Sequence, residues 1–276
     1  MQVVMFSKHL QELSVEEAGR AVKAIGLDGL DLTVRPGGHL QPDNVRETLP
    51  KAVEALKAVG AEVPMITTAV TDDDETAQNT FAAAQECGIR HLKLGYWSYG
   101  GFGKLDENMA NARAAIERIA QLAEERGVTA CLHNHSGAHL TASGSLVARL
   151  LKGLNPDAVG AYIDPGHLTL EGGLSGWKLA MDEMKDRIRL VAVKDFGWFR
   201  EESNGNARWR QKLVPLKEGV VRWKEAFECL RSISFDGVVS FHSEYQGWGS
   251  WKDLNTEEVL RQTKEDYEYM RPILNR

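Results

Sequence analysis

Cysteine is scarce in this sequence. The 276 residues include three, Cys87, Cys131 and Cys229, and their spacing matches no metal-binding motif. An odd number of isolated cysteines argues against the disulfide framework of a small secreted protein, and it suits small buried side chains in a reducing compartment. The sequence therefore predicts a cytoplasmic protein.

Long apolar runs and clustered positive charge are also missing. No apolar run approaches the ~20 residues of a membrane span. The amino terminus lacks the basic region and long apolar core of a signal peptide. The formal net charge is −6. Sequence-independent binding to nucleic-acid backbones needs clustered Lys and Arg, which neutralise the phosphates. We therefore expect neither a membrane nor a nucleic acid as a partner.

The sequence shows no internal divisions either. It contains no linker, no low-complexity tract and no repeat of about 20–50 residues. Its hydrophobic fraction of 43% and charged fraction of 26% are ordinary for a soluble globular protein. The length fits one large α/β domain better than two small ones, so we expect one domain over residues 1–276.

Apolar runs typical of buried strands alternate with helical patterns eight times. We predict strands near Val3–Phe6, Leu30–Val34, Val63–Thr68, Leu92–Tyr96, Thr129–Asn134, Gly160–Asp164, Leu190–Lys194 and Val238–Glu244. A doubly wound open sheet would usually show a glycine-rich turn after its first strand, but Ser7–Gln11 contains no glycine. The pattern therefore favours a single (β/α)₈ barrel.

Polar side chains follow four of these strands, at the end where parallel barrels carry catalytic groups. They are His133, Asp164, Lys194 and Glu244. Residues two apart share a face of a strand, so His135, His242 and Lys93 are expected to point into the same mouth. Mixed imidazole and carboxylate ligands suit Mn, Fe, Co or Zn, and carboxylates alone suit Mg.

Each of these residues also has a structural interpretation. A single strand-end histidine can be a hydrogen-bonded core residue, Asp164 before a Pro-Gly pair can shape a turn, and Lys194 with Asp195 can form a surface ion pair. Glu244 is harder to explain structurally, because a partly buried carboxylate needs a partner. The convergence of all four on one rim favours a functional site.

Loops beside the predicted mouth supply further candidates. Arg35 and His39 lie in a loop after strand two, where they can contact substrate hydroxyls or simply form a turn. Trp97 and Trp198 follow strands four and seven, and flat rings at a rim suit stacking on sugar faces. Loop aromatics that pack on one another are the alternative.

At these residues the chain resembles the xylose-isomerase-like barrel superfamily, which includes sugar isomerases, epimerases and AP-endonucleases. The resemblance rests on four segments: His133–Gly137, Asp164–His167, Lys194–Asp195 and Ser243–Tyr245. It implies one divalent metal, held in this family by Glu, Asp, His and Glu on strands five to eight. Asp164 and Glu244 match two of those positions, whereas His133 and Ala192 replace the strand-five Glu and the strand-seven His.

The resemblance implies a sugar isomerase or epimerase that moves a proton next to a carbonyl. It implies one divalent metal (Mn, Mg, Co or Zn), weakly held because Ala192 offers no ligand. We assign metal binding to His133, Asp164 and Glu244; catalysis to Glu244 as base, Lys194 as electrophile or second proton carrier, and His135; and substrate binding to His167, Arg35, His39, Lys93, Trp97, Trp198 and His242.

Two alternatives stay open from the sequence. One is a lyase or hydrolase on keto-sugar glycosides, which would use the same proton abstraction but expel a leaving group. The other is a metal-free sugar-binding barrel without catalysis. In every case the expected partner is a small carbohydrate, and the sequence leaves room for a homo-oligomer.

Overall fold

The structure is a computed structural model, and it describes residues 1–203 and 205–275. Eight parallel strands close into a barrel and alternate with helices, as predicted. The barrel strands are β1 Gln2–Phe6, β2 Gly29–Val34, β3 Glu62–Thr68, β4 His91–Lys93, β5 Thr129–His133, β6 Val159–Ile163, β7 Ile188–Val193 and β10 Val238–Phe241. The order around the barrel follows the chain, and β10 closes it between β7 and β1.

The helices form the outer layer. They are α1 Val15–Ile25, α2 Val45–Ala58, α3 Glu75–Glu86, α4 Leu105–Arg126, α5 Gly144–Leu151, α6 Pro165–Met184, α7 Trp223–Ser232 and α8 Thr256–Leu274. Helix α1 begins with a capping box, in which Ser14 and Glu17 satisfy each other's backbone N–H groups. Within the described ranges, no helix is long and apolar enough to cross a membrane.

Between β7 and α7, where a loop was expected, the chain forms a hairpin. Strands β8 Asp195–Ser203 and β9 Asn206–Val214 pair antiparallel outside the barrel. Most side chains of this hairpin are exposed, and charges such as Arg200 and Glu202 interrupt any apolar alternation. A two-stranded ribbon with so little buried surface carries no periodic signal, which explains why it was missed.

The barrel interior separates into an apolar floor and a polar upper layer. The floor consists of Val4, Met65, Cys131, Tyr162, Leu190, Ala192 and Val238. Above it, buried polar side chains face the carboxyl ends of the strands, beginning with Asp31 and Ser240. Side chains alternate along a strand, so residues two apart point the same way. Because Ala192 and Ser240 point into the barrel, Lys194 is directed inward after Ala192, and His242 and Glu244 are directed inward after Ser240.

Asp195 joins the hairpin to the segment that precedes α7. Its buried carboxylate accepts hydrogen bonds from the backbone N–H groups of Phe196 and Val221 and from the Trp223 indole, at 2.8, 3.1 and 2.8 Å. The chain passes so close at Gly219 that a Cβ there would lie 1.8 Å from the Asp195 carboxyl carbon. Asp195 is therefore a structural residue and does not form a surface ion pair with Lys194.

We expect Asp195→Ala to lower the free energy of unfolding by roughly 3 kcal/mol, because it leaves several buried donors without an acceptor. Urea unfolding followed by tryptophan fluorescence measures this change. The exposed carboxylate Asp236 offers a control, since Asp236→Ala should shift stability by less than about 0.5 kcal/mol. Equal effects of the two substitutions would contradict the role given to Asp195.

Candidate active site

A small polar cavity opens at the carboxyl ends of the barrel strands. Its volume is about 190 Å³. Eleven side chains line it: Phe6, Lys8, Arg35, Thr67, Lys93, Tyr96, His133, His135, Lys194, His242 and Glu244. A larger cavity of about 780 Å³, lined by residues such as His91 and Arg189, lies at the opposite end of the barrel. Barrel enzymes carry their chemistry at the carboxyl end, so the smaller cavity is the candidate active site.

Lys194 holds the centre of the site. Its Nζ lies 3.0 Å from Glu244 Oε2 and 3.3 Å from Asp164 Oδ2. The lysine side chain is 2% exposed, and Asp164 is fully buried behind it. Glu244 binds a second ammonium through its other oxygen, because Lys8 Nζ lies 2.6 Å from Oε1. The two carboxylates thus share one buried cation, and Glu244 also reaches a second cation nearer the rim.

These ion pairs fix the charge states of the central groups. Burial opposes the charged form of Lys194, but Glu244 and Asp164 outweigh it and raise the lysine pKa. Burial likewise opposes the charged form of Glu244, yet Lys194 and Lys8 hold its pKa well below the usual range. Both groups are therefore charged at neutral pH, as an ammonium and a carboxylate.

Asp164 is positioned by its neighbours before it meets Lys194. It begins helix α6, where its Oδ1 accepts the backbone N–H of His167 at 3.0 Å. The amide of Asn134 brackets its backbone, accepting from Asp164 N at 2.7 Å and donating to Asp164 O at 3.1 Å. This leaves Oδ2 directed at Lys194, with His133 Nε2 at 3.4 Å and His167 Nε2 at 3.7 Å.

Three histidines at this end, His133, His135 and His167, are neutral. Burial, followed by the nearby Lys194 charge, lowers the pKa of His133 and His167 well below the ordinary value and that of His135 to about 4. His133 shares a hydrogen bond of 2.8 Å with the Tyr96 hydroxyl through Nδ1. His135 and His167 pack ring against ring at 4.0 Å. Neutral imidazoles can hold substrate hydroxyls without adding charge.

Beneath the cavity, a network of hydroxyl groups surrounds a buried carboxylate. Asp31 accepts hydrogen bonds from Thr67, Ser240 and Tyr162 at 2.7, 2.9 and 3.3 Å. Tyr162 also shares a 2.7 Å bond with His242 Nε2, and His242 stacks on Phe6. This chain of contacts fixes the orientation of the His242 ring at the cavity wall.

Lys93 lies in the cavity wall without an ion pair to any carboxylate of the described residues. No carboxylate oxygen of residues 1–203 or 205–275 lies within ion-pair distance of its Nζ, which sits 3.7 Å from the centre of the Tyr96 ring. Burial, with help from the charge of Arg35, lowers the pKa of Lys93 to about 7. A substrate with an acidic or strongly polar group would restore the charged form.

The structure brings most of the predicted site residues together. His133, His135, Lys93, Lys194, Arg35, His242 and Glu244 line the cavity, and Asp164 and His167 lie directly behind its wall. Three others stand apart. His39 holds its own loop through Leu10 O at 3.1 Å, and Trp97 packs on the core. Trp198 is 49% exposed on the hairpin.

Sequence reasoning missed Lys8, Tyr96 and Asp31. Asp31 and Thr33 alternate with leucines in β2, and that alternation of polar with apolar residues could have identified them as inward-facing. Lys8 lies in a short 3-10 turn directly after β1. In the sequence this segment was considered only for its lack of a glycine-rich turn, and the charge of Lys8 was overlooked. Tyr96 follows β4 without any local signal.

Whether the implied divalent metal fits this site depends on the donor atoms of these side chains. Asp164 Oδ2, His133 Nε2 and His167 Nε2 are buried without a hydrogen-bond partner in the described part of the chain, as metal ligands in an empty site would be. The Lys194 ammonium, however, stands between Asp164 and Glu244, at contact distances to both. Among residues 1–203 and 205–275, no group of three or more His, Cys, Asp or Glu has the arrangement to hold a metal. The donor set therefore does not fit the implied metal.

Comparison with known proteins identifies the family. A model described as xylose isomerase-like TIM barrel matches residues 19–273. Inosose dehydratase from Lacticaseibacillus casei is 22% identical over 150 residues, which make up 50% of this chain and 48% of that protein. The chain thus spans about half the length of the curated relatives it matches.

Solved structures match over almost the full length. The 3-keto-D-glucoside 4-epimerase of E. coli has a TM-score of 0.71 at 14% identity, covering 99% of both chains. A xylose isomerase-like TIM barrel protein from Mycobacterium smegmatis, solved in complex with magnesium, has a TM-score of 0.70 at 14% identity, covering 99% of this chain and 96% of that one. With the family model spanning nearly the whole barrel, the chain belongs to the xylose isomerase-like TIM barrel family.

Proposed function

We propose that this protein is an isomerase that moves a proton next to the carbonyl of a monosaccharide or sugar derivative. One observation carries the proposal: a carboxylate, Glu244, and an ammonium, Lys194, stand 3.0 Å apart in the wall of a polar cavity at the barrel's catalytic end. Proton abstraction beside a carbonyl needs a base and a group that stabilises the resulting oxyanion. The cavity of about 190 Å³ suits a small polar molecule.

The proposed chemistry uses these two groups in turn. Glu244 takes the proton from the carbon next to the carbonyl, and the electron pair of that C–H bond forms an enediolate. Lys194 donates a hydrogen bond to the developing oxyanion. This contact draws the positive charge of Lys194 away from Glu244. Because that charge holds the pKa of Glu244 down, the shift makes the carboxylate a stronger base as the reaction proceeds. Return of the proton from Glu244 to the neighbouring carbon, with transfer of that carbon's hydroxyl proton to the oxyanion, completes the isomerisation. An epimerisation would need a proton from a second acid on the opposite face, with Lys194 as the second proton carrier.

The remaining cavity residues are proposed to bind substrate. Arg35 and Lys93 offer donors from the β2 and β4 side, and the imidazoles of His135 and His242 offer hydrogen bonds from facing strands. His133 and His167 are assigned to the support of Asp164, since both imidazoles face its Oδ2. Trp97, Trp198 and His39 lie outside the cavity lining, so we leave them out of the substrate site.

A dehydratase or lyase is the second candidate, and the similarity to inosose dehydratase favours it. It would begin with the same proton abstraction but expel a hydroxyl or glycosyl group from the neighbouring carbon. The likeness to a 3-keto-D-glucoside 4-epimerase supports the first candidate. The expected divalent metal is not part of either proposal, because Lys194 stands between the carboxylates that would bind it.

A cytoplasmic location and assembly into a homo-oligomer stay predictions. The location rests on the three cysteines, which are all free. Size-exclusion chromatography with light scattering would measure the oligomeric state.

Solvent-exchange NMR tests the proposed function directly. The protein is incubated in D₂O with a panel of aldoses, ketoses and keto-glycosides, and deuterium at the carbon beside the carbonyl is followed. Incorporation with conversion to an isomer supports the isomerase, whereas release of water or an aglycone supports the lyase. Binding by calorimetry without exchange or release would contradict both and leave a sugar-binding barrel.

Glu244→Gln should lower kcat by at least about 100-fold and abolish deuterium exchange, because an amide cannot accept the proton. The exposed Glu228 on α7 supplies a matched control, and Glu228→Gln should retain wild-type turnover. Circular dichroism checks that both variants are folded. Full exchange activity in Glu244→Gln would remove Glu244 from the role of base.

The pKa of Lys93 near 7 predicts a pH dependence of kcat/KM, which reports groups of the free enzyme. If the ammonium form binds substrate, kcat/KM falls as pH rises through about 7. Lys93→Arg keeps the charge at all accessible pH values, so that decline should disappear. A wild-type profile that instead rises through this pH would contradict the binding role and make the neutral amine a proton acceptor.

A further inference from the structure

We propose that the ammonium group of Lys194 takes the position of a divalent cation in this barrel, so that Asp164 and Glu244 hold a cation belonging to the chain itself. The proposal concerns which cation the carboxylates bind. It therefore stands apart from the proposed reaction and can be tested without a substrate.

The distances support an ammonium as the intended partner. Lys194 Nζ lies 3.3 Å from Asp164 Oδ2 and 3.0 Å from Glu244 Oε2, and both distances are within the limit of about 4 Å for an ammonium–carboxylate ion pair. Metal–oxygen bonds are only about 2 Å long. A metal ion held by both oxygens would have to occupy the volume in which the ammonium group lies.

The surroundings of Lys194 keep it there. Below it, Ala192 is fully buried in the barrel floor and leaves room for the lysine stem along β7. Elsewhere in the described ranges, no other carboxylate oxygen lies within 4 Å of Nζ. If the side chain moved aside for a metal, it would give up two buried ion pairs and gain none, which is strongly unfavourable.

Electrostatics also exclude simultaneous occupation. Lys8 already neutralises part of the Glu244 charge at 2.6 Å, and Lys194 adds a second positive charge between the two carboxylates. A divalent ion beside these ammonium groups would be repelled by both at a separation of a few ångströms. Asp164 and Glu244 together offer two negative charges, which Lys194 and Lys8 balance.

Two imidazole nitrogens lie close to the Asp164 carboxylate. His133 Nε2 and His167 Nε2 lie 3.4 and 3.7 Å from Asp164 Oδ2, and apart from the ion pair of Asp164 with Lys194 these three atoms lack hydrogen-bond partners in the part of the chain described. Their present arrangement does not hold a metal. Together with Glu244, however, they supply carboxylate oxygens and imidazole nitrogens, the donor types that suit Mn²⁺ or Zn²⁺, and loss of the ammonium frees the volume in which they would close on an ion. Lys194→Ala should therefore create a metal site.

The test is titration with Mn²⁺, without any substrate, followed by the EPR signal of the free ion. Wild-type protein should bind no stoichiometric Mn²⁺. Lys194→Ala should bind one ion per chain at least about 100-fold more tightly than wild type, because a charge next to the ion has gone and its volume is free. Mn²⁺ should also raise the melting temperature of this variant and leave that of wild type unchanged.

Lys93→Ala is the matched control. It removes another buried lysine from the same cavity, but one that contacts neither carboxylate. It should bind Mn²⁺ no better than wild type. Equal gains in the two variants would show a mere effect of net charge and overturn the proposal, as would tight stoichiometric binding by wild type.

Removing Lys194 leaves the buried Asp164 carboxylate without a lysine partner and Glu244 with Lys8 alone, so the alanine variant can fail to fold without metal. Refolding in the presence of Mn²⁺, followed by circular dichroism, covers that case, and recovery of the fold only with Mn²⁺ supports the proposal. If the variant folds under neither condition, the wild-type titration decides: absence of binding supports the proposal and stoichiometric binding overturns it.

Discussion

The ion pairs of Lys194 with Asp164 and Glu244 are the interaction on which the site depends. Two carboxylates buried at the mouth of a barrel would repel each other and lose hydration, and a shared cation makes their ionised forms tolerable. In this chain the cation is covalently attached to β7. Its position sets the charge of Glu244 and the place left for a substrate oxygen, and after burial it is the second cause that keeps the nearby imidazoles neutral.

The barrel places these groups by geometry alone. Each lies just beyond the carboxyl end of its strand, and the period of two directs it inward above the apolar floor. Asp164 is fixed further by the start of α6 and by Asn134, and His242 is fixed by Tyr162 and Asp31. The residues that do no chemistry thus determine where the reactive atoms point.

The sequence predicted the barrel and the strand-end residues because both follow from periodicity and from the order of elements. It could not predict Lys8 or Tyr96, whose contacts join elements far apart in the chain. It also missed the hairpin β8–β9, which buries too little surface to impose a pattern. The divalent metal was inferred because Asp164 and Glu244 match two positions at which the family binds one. The structure places the Lys194 ammonium at these carboxylates, and the sequence alone did not show that contact.

A crystal structure of the wild-type protein soaked in Mn²⁺, with anomalous data at the manganese edge, tests the central claim most directly. We predict continuous density for the Lys194 side chain ending between Asp164 and Glu244, with no anomalous peak there. An anomalous peak within about 2.5 Å of both carboxylates, with Lys194 turned away, would contradict the account.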